Sequence, residues 1–221
     1  MATVAGLAEA APELHQRSLF LISLIYCCYL RISDVSARAG YSPVMDQFKH
    51  NQQTGIWSFH IPLSKGGKRR SVAISKALLD ALVKYRQFLG LADYPAPNEN
   101  HPLFVRHKAA GRGRDAGILN ANLGIRHVRD EIQSIINLAA ESIEADGFAQ
   151  DGAQMRKLTA HNIRHTGITH DININRRPLS HVQADAGHES IDTTSQYLHT
   201  SQIERHESAF NKPIDHLKGI E

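Results

Sequence analysis

The chain has 221 residues, 42% of them apolar and 21% charged, a balance that suits one well-buried globular domain and excludes a disordered or fibrous chain. A formal charge of +3 with 14 histidines permits a nucleic-acid partner without requiring one. The two cysteines, Cys27 and Cys28, are adjacent inside an apolar run, which supports neither a disulfide framework nor a zinc cluster and fits a reducing, cytoplasmic setting.

Residues 1–14 are rich in small residues with no periodic apolar pattern, and read as a linker, added residues or the frayed start of a helix. His15 to Leu30 has the length and apolar content of a buried helix. Its core, Leu19 to Leu30, is too short to span a bilayer, and Glu9 and Glu13 stand where a secretory signal would be basic, so no membrane association is expected. Ser33 and Asp34 are capping types for a short second helix that stops at Gly40. Ile56 to Leu63 and Arg70 to Ile74 alternate with a period near two on either side of Lys65-Gly66-Gly67-Lys68, which predicts a β-hairpin with a basic tip. Pro62 places one of its strands near an edge or a bulge.

Lys76 to Leu89 carries Leu78, Leu79, Leu82, Val83 and Phe88 on one side, the spacing of an amphipathic helix. The prolines between Leu91 and Pro102 mark a surface connection, Leu103-Phe104-Val105 a short buried piece, and Arg106 to Gly117 a basic, glycine-rich loop. A long helix from Asn120 to about Ala145 turns Ile125, Val128, Ile132, Ile135, Ile136 and Leu138 inward, and the polar stretch from Asp146 to Lys157 reads as mobile. Three shorter helices follow, around His161 to Ile172, Leu179 to Ala186 and Thr193 to Phe210. The expected fold class is mainly α with one small antiparallel β-sheet (α+β), in a domain spanning residues 15–200 with a tail at 201–221.

A sparse row of polar residues closes the chain: His161-Asn162-Ile163-Arg164-His165, then Gly187-His188, then Tyr197. Hydrogen-bonding histidines, a permanently charged arginine and a tyrosine hydroxyl suit attack on a phosphodiester. Thr159 is a suitable N-cap, which puts His161 in the first turn of a helix and Arg164 one turn on, both able to face one anion. Tyrosine has a reference pKa of about 10, so Tyr197 needs a proton acceptor or a strongly positive surrounding to attack near neutral pH. His161 and His165 have the spacing of two zinc ligands on a helix, but Asn162 stands where a metalloprotease has Glu and no third ligand follows from spacing. No metal is expected, and His165 reads as a core or supporting histidine.

His-x-x-Arg-His-Thr at residues 161–166, followed by Gly187-His188 and by Tyr197, resembles the C-terminal signature of the tyrosine recombinases, the phage integrase family. Leu30-Arg31-Ile32-Ser33-Asp34-Val35 is similar to the family's first arginine box, and Lys65 in Ser64-Lys65-Gly66-Gly67-Lys68-Arg69-Arg70 to its β-hairpin lysine. The resemblance implies the family's catalytic-domain fold and its chemistry, in which Tyr197 attacks the scissile phosphate to give a 3′-phosphotyrosyl enzyme and a free 5′-hydroxyl. Arg31 and Arg164 would clamp the non-bridging oxygens, Lys65 would protonate the leaving oxygen, His161 would accept a proton and bind phosphate, and His188 would donate a second hydrogen bond. Neither ATP nor a metal is implied. The implied partners are double-stranded DNA with a specific recombination site and further copies of the chain in a synaptic homotetramer, the isolated domain being a monomer or weak oligomer.

Departures from the family pattern carry their own expectations. The family commonly has Thr-Gly where Cys28-Tyr29 stands, so the turn presenting Arg31 is expected to be built differently, and Ala186 replaces a frequent leucine. Lys68 competes with Lys65, which is preferred for its place at the start of the turn. Lys68, Arg69, Arg70, Arg112 and Arg114, with Arg106 and Lys108, are candidate contacts to DNA phosphates. The helical N-terminal clamp domain of full-length members has no counterpart here, so the chain reads as a catalytic fragment or a naturally short form. Ile203, Phe210, Ile214 and Leu217 make the tail amphipathic, fit to dock on a neighbouring protomer or to fold back. A type IB topoisomerase-like or hairpin telomere resolvase enzyme would share the chemistry; a DNA-binding module with a degenerate site is the rival from another class, and a zinc hydrolase a more distant one.

Overall fold

The computed structural model describes residues 2–62, 69–112 and 116–198. Helix α1 (Ala2–Ala10) occupies most of the stretch expected as a linker. Alanine is the best helix former, and Val4 and Ala8, one turn apart, are buried, Val4 against Ile22 and Ile135. Two inward residues are too few to show a period in the sequence. Helix α2 (Pro12–Cys28) opens with Pro12 in its first turn, where the missing N–H costs no bond, and Glu13 sits at its positive end. Phe20, Leu21, Leu24, Ile25 and Cys28 bury it on most sides.

The next helix, α3 (Ile32–Val35), is shorter than the sequence suggests. Ser33 lies inside it, while Asp34 caps from within by accepting a hydrogen bond from the Arg31 N–H at 3.0 Å. The expected hairpin is part of a three-stranded antiparallel sheet in the order β1 (Phe48–Asn51), β2 (Ile56–Ile61), β3 (Arg70–Ala73). Phe48 pairs with Phe59 and Phe59 with Val72, so these three line the buried face. Strand β2 is central, and Pro62 falls just past its last residue, where no ladder bond is needed.

Helix α4 (Lys76–Phe88) starts at Ser75, whose hydroxyl accepts from the Leu78 N–H at 3.3 Å. Leu78, Leu82 and Tyr85 face inward at i, i+4 and i+7, whereas Phe88, expected inside, is 39% exposed at the helix end. Helix α5 (Ile125–Ala145) begins five residues later than Asn120, because Val105 bridges to Asn122 and Ala37 to Gly124, holding that stretch extended. Helix α6 (Ala149–Met155) replaces the expected mobile segment and is tied to α5 by Arg156, which donates to Glu144 at 2.7 Å.

Helices α7 (Ala160–Asn173), α8 (Leu179–Ala186) and α9 (Ile191–Ser195) complete the described chain. Thr159 caps α7 as expected, with Asn162 Oδ1 accepting from the Thr159 N–H at 2.9 Å. The last described helix ends at Ser195, within the run predicted from Thr193 to Phe210; the rest of that run beyond residue 198 lies outside the described residues, as do the hairpin tip at 63–68 and the loop at 113–115. Helix α2 is the hub, with α1, α4 and α7 packed around it. Gly167 makes the close approach of α7 possible, since a Cβ there would meet the Tyr26 carbonyl. The main core joins α2, α4, α5 and the sheet, while Tyr29, Ile168, Ile172, Val182 and Ala186 form a second cluster with Tyr197 against it. No helix among the described residues is long and apolar enough to cross a membrane.

Candidate active site

The site starts at the end of α2. Tyr29 follows Cys28 with φ 49 and ψ 44, a left-handed turn that costs a non-glycine residue about 1–2 kcal/mol. The Cys28-Tyr29 turn, expected to be built differently from the Thr-Gly of the resemblance, is thus a left-handed one borne by a tyrosine, and its side chain is held in place. The buried Tyr29 hydroxyl donates to Asp171 Oδ2 on α7 and accepts from Arg177 Nη1 at 2.8 Å. Arg177 in turn donates to Asp171 at 2.9 Å and to Asp185 at 2.6 Å, locking α7 to α8. Burial and the bond to Asp171 push the Tyr29 phenol far up, so it remains a donor.

The same turn aims the Tyr29 carbonyl at two guanidiniums. Arg164 Nη1 donates to it, and Arg70 Nη2 reaches it at 3.4 Å. Arg70, expected as a contact to DNA phosphates, instead shares the inner face of β3 with Val72, two residues on, and its side chain is 8% exposed against a fully buried Asp34 at 3.3 Å. Gly187, φ 65, closes over it: a Cβ there would lie 2.9 Å from Arg70 Nη1. Burial, followed by the charges of Arg31 and Arg70, pushes Arg164 down to about 10, still cationic at pH 7. Arg31, Arg70 and Arg164 thus form one positive cluster, with the Asp34 carboxylate as its counter-charge. Arg164 Nη2 also donates to the Ala186 carbonyl at 2.9 Å and to His188 Nε2 at 3.1 Å.

Because arginine only donates, His188 Nε2 accepts and its Nδ1–H points to Thr194 Oγ1 at 2.9 Å. Burial first, then the charges of Arg164, Arg31 and Arg70, push His188 down to about 4, so the ring is neutral at pH 7. The donor role implied for it therefore requires a proton that an arriving anion would favour. Tyr197 lies alongside, its ring within 16° of parallel to that of His188 and 6.3 Å away. The Tyr197 backbone is fixed by N–H donation to Thr194 O at 3.1 Å and by Asn173 Nδ2 donating to its carbonyl at 2.7 Å.

The Tyr197 hydroxyl meets His165 Nδ1 at 2.5 Å, and His165 Nε2 meets His161 Nε2. Burial pushes the Tyr197 phenol above its ordinary value while Arg164 pulls the other way, so the positive surrounding does not by itself make a phenolate. His161, exposed at the start of α7, is in contact with His165, while Arg164 is buried. Of the candidate phosphate contacts, Arg69, Lys108 and Arg112 are exposed. Lys65, Lys68, Arg114 and the tail lie outside the described residues.

Three residues have contacts that sequence reasoning did not give them: His165, read as a core or supporting histidine, Asp34, read as a cap, and Arg70 in its inward role. The alternation Arg70-x-Val72 carried the signal for the last; nothing local could pair His165 with Tyr197. Among the described residues no group of three His, Cys, Asp or Glu side chains is placed to hold a metal ion.

The chain has known relatives in sequence and in fold. The chain is 26% identical over 186 residues to a tyrosine recombinase XerC of Corynebacterium efficiens, covering 84% of this chain and 47% of the relative. It is 22% identical over 199 residues to XerC of Caldanaerobacter subterraneus subsp. tengcongensis, covering 90% and 46%. It thus spans about half the length of the curated relatives it matches. The fold is similar to that of the XerH site-specific recombinase bound to difH, with a TM-score of 0.53 at 23% identity over 89% of this chain and 47% of that one. It is also similar to the XerA recombinase, with a TM-score of 0.52 at 18% identity over 96% and 64%. The profile of the phage integrase family matches residues 3–204, nearly the whole chain, and the chain belongs to that family.

Proposed function

We propose that this chain is the catalytic part of a site-specific DNA recombinase that cleaves and rejoins strands through Tyr197. The observation that carries the reading is the convergence of Arg164, His188 and Tyr197 on one face, within the field of Arg31 from the far end of the sequence. Three of the five N–H donors of Arg164 are engaged by Tyr29, Ala186 and His188, which fixes the guanidinium plane and leaves two for a phosphate oxygen among the described residues.

In the forward step the Tyr197 oxygen bonds to phosphorus, the P–O5′ bond breaks, and Lys65 supplies the proton to the departing oxygen. Charge on the non-bridging oxygens is met by Arg31 and by Arg164, the latter already oriented before reaction, a kind of stabilisation whose loss costs about 100- to 1,000-fold per donor. The bond energy stays in the phosphotyrosine, so a 5′-hydroxyl from a partner strand reverses the step without ATP or a metal. Strand exchange between two duplexes calls for a synaptic homotetramer in which the tail at 201–221 joins neighbouring copies, and a DNA substrate places the work in the cytoplasm or nucleoid.

The test is covalent attachment to a nicked duplex carrying whatever site the protein selects from a random-sequence pool. Wild-type chain should yield a protein–DNA adduct stable to denaturant, and Tyr197→Phe should bind the duplex and yield none. Retained attachment in that variant removes Tyr197 as nucleophile; absence of attachment by the wild type removes the reading.

A further inference from the structure

We infer that His165 is a catalytic residue, the base that takes the proton of Tyr197 and passes it through His161 to solvent. This rests on Tyr197 being the nucleophile, and it moves the direct contact with the nucleophile from His161, where the family resemblance put proton acceptance, to the histidine four residues on.

Of the two assignments of protons open to two neutral rings, one also gives the Tyr197 hydroxyl a partner to donate to. Two Nε2 atoms in contact need one donor and one acceptor. If His165 Nε2–H donates to His161 Nε2, then His165 Nδ1 carries a lone pair, and that is the atom 2.5 Å from the Tyr197 oxygen. The opposite polarity would put a hydrogen on His165 Nδ1 and leave the Tyr197 hydroxyl donating to no group among the described residues. The rings are arranged for this: those of His161 and His165 meet edge-on with centroids 3.9 Å apart, and that of His165 lies 5.1 Å from that of Tyr197. On transfer, the Tyr197 O–H bond breaks and Nδ1 of His165 gains the proton. Nε2 of His165 gives its own to Nε2 of His161, and the charge emerges on His161, the exposed end of the chain. The phenolate oxygen then bonds to phosphorus as the P–O5′ bond breaks.

The surroundings suit a base that is neutral when idle. His161 and Arg164 face His165 from α7, Tyr197 faces it from beyond α9, and Tyr26 of α2 and His170 of α7 line the same cavity. Burial, with the charges of His161 and Arg164, holds His165 below the ordinary histidine value, so its lone pair is available at pH 7. Tyr197, raised by burial, keeps its proton until a base takes it.

Two arms test the relay in the full chain. Long-range ¹H–¹⁵N spectra of the imidazoles at pH 7 should show His165 protonated on Nε2, with its Nδ1 signal shifting in Tyr197→Phe; protonation on Nδ1 overturns the assignment. In the attachment assay on the pool-selected nicked duplex, His165→Asn keeps an acceptor near the Nδ1 position but cannot carry a proton. Its rate should fall about 100-fold or more. The wild-type rate should be flat with pH above about 6.5, while that of the variant should climb about tenfold per pH unit towards the phenol's own ionisation. An unchanged rate, or a variant profile as flat as wild type, overturns the relay. If wild-type chain attaches to no DNA, the recombinase reading fails, and the tautomer measurement still decides the hydrogen-bond chain.

Discussion

Replacing Asp34 by asparagine keeps the shape of the side chain and an oxygen to accept the Arg31 N–H, and removes one charge from the middle of the guanidinium cluster. Asp34 is fully buried, and Arg70, 3.3 Å away, has an 8% exposed side chain, so solvent screens the pair little. Two unit charges at that distance attract by about 5 kcal/mol with an effective dielectric constant of about 20. Their desolvation offsets much of this while both are present, but removing one partner leaves the other buried and uncompensated, which typically costs about 3–5 kcal/mol. Here the loss also leaves Arg31, Arg70 and Arg164 repelling one another. For a chain of 221 residues this corresponds to a fall in Tm of about 6–20 °C. Urea unfolding followed by Trp57, the one tryptophan, which stacks on Tyr94 and His50, reads it directly. Added sulfate should recover more stability in the variant than in wild type, because an anion can replace the lost counter-charge. A loss below about 1 kcal/mol, with no extra response to sulfate, would refute the claim that Asp34 holds this cluster together.

His188, held down to about 4, is neutral in the folded chain where the unfolded chain binds a proton, so stability should fall as pH drops from about 6.5 towards 4; His188→Gln should flatten that slope in pH-dependent unfolding. Gly187→Ala places a Cβ 2.9 Å from Arg70 Nη1 in a left-handed turn and should cost about 1–2 kcal/mol, while covalent attachment to DNA falls further because Arg70 must move. Gly6, exposed inside α1 with nothing within 4 Å of where a Cβ would stand, should gain about 0.5–1 kcal/mol on change to Ala, and Gly167→Ala, which drives into the Tyr26 carbonyl, should lose about 1–3 kcal/mol; thermal melts separate the two. Replacing the exposed Arg69 or Arg112 by Gln should weaken DNA binding alike for all sequences and reduce the salt dependence by about one charge each, measured by titration at several ionic strengths.

The elements legible in the sequence are those whose burial has a period. Leu78 and Leu82 announce α4, Val128 to Ile136 the middle of α5, and the alternation around Phe59 and Val72 the hairpin. Strand β1 escapes because Phe48-Lys49-His50-Asn51 buries one side chain and joins the sheet through its backbone. Helix α6 is held by Arg156 reaching Glu144 on α5, a contact between separate elements that no local pattern encodes. At the site, motif order along the chain led to Arg31, Arg164, His188 and Tyr197. What it could not show is how they are supported: Tyr29 bearing a glycine's turn, Arg70 folded under Gly187, and His165 against a hydroxyl 32 residues away. Each of these depends on where two elements meet, and the sequence shows elements one at a time.

The central claim is that the Tyr197 oxygen becomes bonded to DNA. Wild-type chain incubated with a pool-selected nicked duplex, digested with protease and nuclease, and analysed by tandem mass spectrometry should yield a peptide containing Tyr197 with a nucleotide 3′-phosphate on its phenol oxygen. A nucleotide on any other residue, or none under conditions where the duplex is bound, would contradict it.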